Sequence, residues 1–217
     1  MKRTAAIEDY LKGIYTLQHE RKSLVSTSAL AERMAVSAPA ASAMVKKLAS
    51  LGLVRHERYH GVSLTRAGER AAVEVIRHHR LLEQYLAQHL GLAIDEVHGE
   101  AERLEHALSE ELEARIDESL GHPTHDPHGD PIPDAGLKIE RAQLRRLADL
   151  DPGEQATIRR VPDDDSELLR YLLSLGLLPG EPVELVAAAP FDGPLTISAA
   201  GVERAISKEL AAQIRVG

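Results

Sequence analysis

Four side chains with metal-ligand chemistry fall close together in the chain: His98, Glu102, Glu105 and His106. Offsets of four, three and one would put them on one face of a helix read over 95–120, capped by Asp95 and stopped near Leu120-Gly121. His79 and Glu83 form a second pair one helical turn apart, and Asp9 lies on a separate amphipathic stretch. Such a face normally meets its neighbours with Leu, and a buried carboxylate there needs a cation or a donor. Glu and His converging from several helices are how bundle metal sites are built. Spacing alone leaves a plainer reading open, in which these are polar surface residues.

The elements that would position these groups begin with a helix over 4–19, whose apolar stripe is Ile7, Tyr10, Leu11, Ile14, Tyr15 and Leu17. Ser26-Thr27-Ser28 starts a second helix, Ala35-Val36-Ser37 breaks it, and Ser37 caps a third with Pro39 in its first turn. Residues 53–64 read as a hairpin with a polar tip, and Thr65 opens a long helix to about His89. Helix, break, helix, hairpin is winged helix-turn-helix order. Its second helix would present Ser37, Pro39, Ala40 and Ser42 to base edges, with Lys46 and Lys47 near phosphates, Arg58 and His60 at the wing tip, and Thr27 as a further DNA-binding candidate. Arg, Asn and Gln are missing from the start of that helix, so direct readout of G or A is thin and DNA shape carries weight.

Residues 121–136 are rich in Pro and Gly and read as a turn-rich connector. Beyond it, short alternating runs at 156–161, 182–186, 194–198, 202–206 and 211–216, interrupted by a helix at 167–175, read as a small β-barrel. The expected fold is therefore mainly α with a small β domain. A winged helix-turn-helix spans 1–72, a helical metal-binding domain with its connector 73–136, and the small β-barrel domain 137–217.

Composition narrows the function. With 217 residues, no Cys, no Trp and one Phe, the chain excludes disulfides, thiolate zinc knuckles and Cys nucleophiles. No apolar run suggests a membrane span and no leader is expected, so a cytoplasmic protein is the default. The net charge of -8 divides unevenly, +7 over residues 1–80 and -15 over 81–217. A basic first third fits nucleic acid, and an acidic remainder fits cations or a basic partner.

Ordered stretches strengthen the metal reading: Ile7-Glu8-Asp9-Tyr10-Leu11, Val36-Ser37-Ala38-Pro39, Gly52-Leu53-Val54, Leu64-Thr65-Arg66-Ala67-Gly68, His79-Arg80-Leu81-Leu82-Glu83, Val97-His98, Leu104-Glu105-His106 and Gly129-Asp130-Pro131-Ile132-Pro133. With them the chain resembles the diphtheria toxin repressor family of metal-dependent regulators, especially its manganese-responsive branch. More weakly, Leu175-Gly176-Leu177-Leu178-Pro179-Gly180 resembles that family's SH3-like domain. The resemblance implies a homodimer that binds palindromic double-stranded operator DNA when metal-loaded and represses metal-uptake genes. It maps a primary site to Asp9, Glu102, Glu105 and His106, and an ancillary site to His79, Glu83 and His98. Carboxylates at Asp9 and Glu102, where iron-responsive relatives carry sulfur, imply manganese, with Fe(II) as the alternative.

Three departures bear on this. Lys12 stands where one manganese subgroup has a Glu joining two metals, and a protonated Lys is no ligand. Asp126 and His128 stand at a Cys-Pro-His ligand pair of some relatives, and either close a second site or form a turn. Among Asp163-Asp164-Asp165, Asp165 is the choice for a ligand from the SH3-like domain, against a solvated charge run. Two rivals remain: a winged-helix regulator answering an organic ligand, and a carboxylate-bridged metalloenzyme.

Overall fold

A computed structural model describes residues 3–21, 23–57, 60–140 and 142–217. The chain divides into two compact units. The first comprises Met1–His79, Leu104–Ser109 and Pro133–Lys138, and the second Arg80–Arg103, Glu110–Ile132 and Ile139–Gly217.

In the first unit, α1 (Ala5–Arg21), α2 (Thr27–Arg33) and α3 (Ala38–Ser50) precede a hairpin of β1 (Val54–Glu57) and β2 (Gly61–Leu64). The Ser26 hydroxyl accepts the Ala29 N–H and starts α2, while Ser37 accepts the Ala40 N–H and starts α3. Leu11 and Ile14 of α1, Leu30 of α2 and Leu48 of α3 are fully buried. Burying each such side chain stabilises the unit by roughly 2 kcal/mol. The hairpin is tied back by exchanged hydrogen bonds between Val25 and Val62, at 2.9 and 2.8 Å. This is the expected winged helix-turn-helix.

Thr65 joins wing to helix. Its hydroxyl donates to the Gly52 carbonyl and accepts the Gly68 N–H, capping α4 (Arg66–Leu90). A Cβ on Gly68 would lie 1.9 Å from the Leu53 carbonyl oxygen, so only glycine permits this approach. α4 begins in the first unit and ends in the second. Beside its buried Ala, Val and Leu it carries four buried polar residues, Arg77, His78, His79 and Glu83.

The helix expected over 95–120 is two helices, α5 (Ile94–Leu104) and α6 (Glu110–Ser119). Its cap also differs: Glu96 accepts the Ala93 N–H at 3.2 Å, and Asp95 lies inside the first turn. Glu105 and His106 consequently fall in a turn beyond α5 and share no helix face with His98 and Glu102.

The remainder of the second unit is a six-stranded antiparallel sheet in the order β3-β8-β4-β5-β6-β7. Its strands are β3 (Arg145–Arg146), β4 (Glu154–Arg160), β5 (Pro182–Ala188), β6 (Leu195–Ala199), β7 (Val202–Ile206) and β8 (Arg215–Val216). α7 (Ser166–Leu175) ends at left-handed Gly176 and buries Leu169, Leu172 and Leu175 against Ile158, Leu185, Ile197 and Val216. Of the strand expected over 211–216 the first half is helix, the end of α8 (Lys208–Gln213), because Ser207 caps it through the Leu210 N–H; only Arg215 and Val216 pair as a strand. Among the described residues, no helix is long and apolar enough to cross a membrane.

Candidate metal centres and nucleic-acid interface

Within the first unit, α1 and the turn after α5 bring Asp9, Glu105 and His106 together, each offering a ligand atom within 4.8 Å of the others. His106 Nε2 lies 2.9 Å from Asp9 Oδ1 and 3.5 Å from Glu105 Oε1. Glu105 is almost wholly buried and gripped on both oxygens, by Lys12 Nζ at 2.6 Å and by His79 Nδ1, which donates at 2.6 Å. His78 Nδ1 donates to the Glu105 backbone carbonyl at 3.1 Å and anchors the turn. Burial alone would raise the Glu105 carboxyl, but His79 and Lys12 outweigh it and hold it below its ordinary value. Asp9 is raised, chiefly by burial, with His106 and Lys12 opposing. Three carboxylates, Glu8, Asp9 and Glu105, thus surround one imidazole.

In the second unit, Glu83, Asp126 and His128 form another set of ligand atoms within 4.8 Å, all three buried. His128 Nε2 donates to the Ile94 carbonyl at 2.9 Å, which turns Nδ1 toward Glu83 Oε1 at 3.7 Å. His98 Nδ1 lies 3.1 Å from Glu83 Oε1 and 3.8 Å from Asp163 Oδ2. Burial lowers the His128 imidazole, yet Glu83 overcomes it and the group is pushed up to about 9. Asp126 is raised well above the carboxylate range by burial, then by Glu83 and Asp130, and Asp163 is raised by the same three causes.

A cation fits this donor set. Asp126 Oδ2 and His128 Nδ1 are buried with no hydrogen-bond partner among the described residues, a costly state that a bound cation relieves. The Nε2–H to carbonyl bond fixes the tautomer that a ligating Nδ1 requires. One oxygen of Asp126 also accepts the His128 and Asp130 N–H groups, both at 2.9 Å, so the residue closes a turn as well. Gly129 seats that turn on β4: its φ is +88, and a Cβ would lie 1.8 Å from the Arg159 carbonyl oxygen.

Asp165 is a correction. Its carboxylate accepts the Glu167 and Leu168 N–H groups as the N-cap of α7 and is exposed; Asp163 is the acid that reaches His98. An N-cap acid directly before an apolar-periodic run was the signal available against Asp165. Glu102 is half exposed and faces His98 at 3.7 Å within the second unit. Glu8, missed in the sequence, reaches His106 Nδ1 at 2.8 Å, and nothing in its spacing marks it.

On the reading helix, Pro39, Ala40, Lys46 and Lys47 are exposed and Ser42 half-buried. The exposed Ser37 spends its hydroxyl on capping α3 at 3.4 Å. Thr27 is half-buried in the first turn of α2 and His60 is exposed beside β2, while Arg58 lies outside the described residues.

Family models match in the same order. Residues 2–62 match the N-terminal DNA binding domain of iron dependent repressors, 65–134 their metal binding and dimerisation domain, and 145–217 the FeoA domain. The chain is 34% identical over 220 residues to the diphtheria toxin repressor of Corynebacterium efficiens, covering 96% of this chain and 94% of that protein. It is 35% identical over 184 residues to the iron-dependent repressor IdeR of Mycobacterium leprae, covering 79% and 80%. A solved manganese-dependent transcriptional repressor in complex with manganese superposes with a TM-score of 0.89 at 42% identity, over 97% and 98% of the two chains. ScaR with bound Zn2+ gives 0.82 at 32% identity, over 97% and 98%. The family comprises repressors, not enzymes, and the matches run over nearly the whole chain: this chain belongs to the diphtheria toxin repressor family of metal-dependent transcriptional repressors.

Proposed function

We propose that this repressor is activated by manganese, binds two-fold symmetric double-stranded operator DNA as a homodimer in the cytoplasm, and represses metal-uptake genes. The observation that carries the reading is the convergence of Asp9, Glu105 and His106. It joins the first helix of the winged domain to the turn beyond α5. A dication there would supply the positive charge that holds two carboxylates and an imidazole together, and so stiffens the DNA-reading unit. Ligand type supports manganese: both clusters consist of oxygen and imidazole nitrogen, without sulfur. Fe(II) shares this preference and is the second candidate. Lys12 Nζ already occupies Glu105 Oε1, which favours one ion at this centre.

The test is operator binding with and without Mn(II), repeated with Fe(II), Zn(II) and Co(II), with metal stoichiometry measured alongside. Linkage requires operator DNA to tighten metal binding by the factor by which metal tightens DNA binding. Equal operator affinity in the metal-free and manganese-loaded protein would remove the switch.

A further inference from the structure

We propose that Glu8 is the positioning residue of the Asp9–Glu105–His106 centre, holding the His106 ring so that Nε2 is the atom offered to a cation. This rests on reading that centre as a metal site. His106 lies in a turn, so no helix sets its side-chain direction. Its ring is fixed by two consecutive residues of α1. Glu8 Oε2 accepts from Nδ1 at 2.8 Å, and Asp9 Oδ1 lies 2.9 Å from Nε2. Nε2 also approaches Glu105, at 3.5 Å, so the ligand atoms of Asp9 and Glu105 converge on that side of the ring.

Glu8 is itself held in place. Its other oxygen, Oε1, accepts from Arg3 Nε at 3.3 Å, and the Arg3 guanidinium also pairs with Glu74 on α4. A carboxylate committed on one oxygen to Arg3 and on the other to an imidazole N–H is arranged to orient a ligand. Arg3, shared with Glu74, offsets part of its charge and so reduces what it adds to the attraction the cation feels. A carboxylate on the far nitrogen of a metal-binding imidazole fixes the ring and raises its basicity; losing such a partner typically weakens metal binding about 10–100-fold.

The experiment uses the full chain loaded with Cd(II), a diamagnetic probe, and follows the His106 ring nitrogens by heteronuclear NMR, which isolates this centre from the second cluster. In the unaltered protein Nε2 should carry the metal and Nδ1 the proton. Glu8→Ala should weaken Cd(II) and Mn(II) binding at His106 by about 10–100-fold. Glu8→Gln, whose amide oxygen still accepts the Nδ1 proton but which carries no charge and turns its NH2 toward Arg3, should recover part of it. Metal on Nδ1 in the unaltered protein, a measurement that needs no variant to fold, would overturn the proposal. So would unchanged affinity in a folded Glu8→Ala. Equal losses in Gln and Ala, with a changed Co(II) absorption spectrum, would make Glu8 a ligand and overturn it too. If His106 shows no metal response at all, the underlying reading of the centre fails with it.

Discussion

Loading the Glu83–Asp126–His128 cluster with a dication should expel protons. His128 is pushed up to about 9 in the metal-free protein. At neutral pH its ring is therefore charged, with Nε2–H committed to Ile94 and the second proton on Nδ1. Ligation through Nδ1 requires that second proton to leave. At pH 7 this costs roughly 3 kcal/mol, about two pH units at ~1.4 kcal/mol each. Apparent Mn(II) affinity at this cluster should then rise about tenfold per pH unit from 7 toward 9. The raised carboxyls of Asp126 and Asp163 can only steepen the rise. The assay is calorimetry across that range in buffers of different ionisation enthalpy, which counts released protons directly. A flat affinity with no buffer dependence would refute the reasoning. Stability of the metal-free fold moves the opposite way. A raised imidazole contributes its full stabilisation below about 6.5 and loses it as pH climbs through 9. The raised Asp126 also favours the protonated fold, so metal-free thermal stability should fall between 6.5 and 9 while the loaded protein holds.

Three other outcomes follow. Lys12→Met removes the ammonium from the two side chains that grip the buried Glu105 carboxylate. It should cost the metal-free protein about 2 kcal/mol in denaturant unfolding and tighten Mn(II) at the Asp9 centre about tenfold, since an ammonium no longer repels the ion; weaker binding would contradict it. Lys46→Ala and Lys47→Ala should each lower the salt dependence of operator binding by about one counterion, uniformly across sequences, and an unchanged slope would take that lysine off the phosphates. Gly129→Ala should weaken binding at the His128 cluster while sparing the Asp9 centre, because its Cβ would meet the Arg159 carbonyl oxygen at 1.8 Å. Equal loss at both centres, seen in site-resolved metal titration, would contradict this.

How much was legible in the sequence varied with the range of the interaction. Local rules placed α1 to α4 and the wing, because apolar period, hydroxyl caps and hairpin length act within a few residues. The side-chain types that gather in the two clusters were also legible, since residue identity needs no fold. The break after Leu104 was not, because Glu105 is drawn out of helical register by Lys12 and His79, partners distant in sequence. Asp163 and Asp164 could not be told apart by type or spacing, since only the fold decides which of them reaches His98. Glu8 and His78 matter through contacts to a turn whose position no periodicity reveals.

The Pro- and Gly-rich stretch before the sheet has the composition of a tether, but its chemistry is that of a clasp. Val161 N–H donates to the His128 carbonyl, Gly129 lies flush against β4, and Asp130 pairs with both Arg80 and Arg160. The boundary that composition suggests is therefore a poor place to cut. A fragment ending near residue 136 would keep Asp126 and His128 yet lose the strand that shapes their loop. The FeoA-like segment and the loop before it therefore behave as one folding piece: the shape of the Asp126–His128 turn is set by a strand that lies outside it.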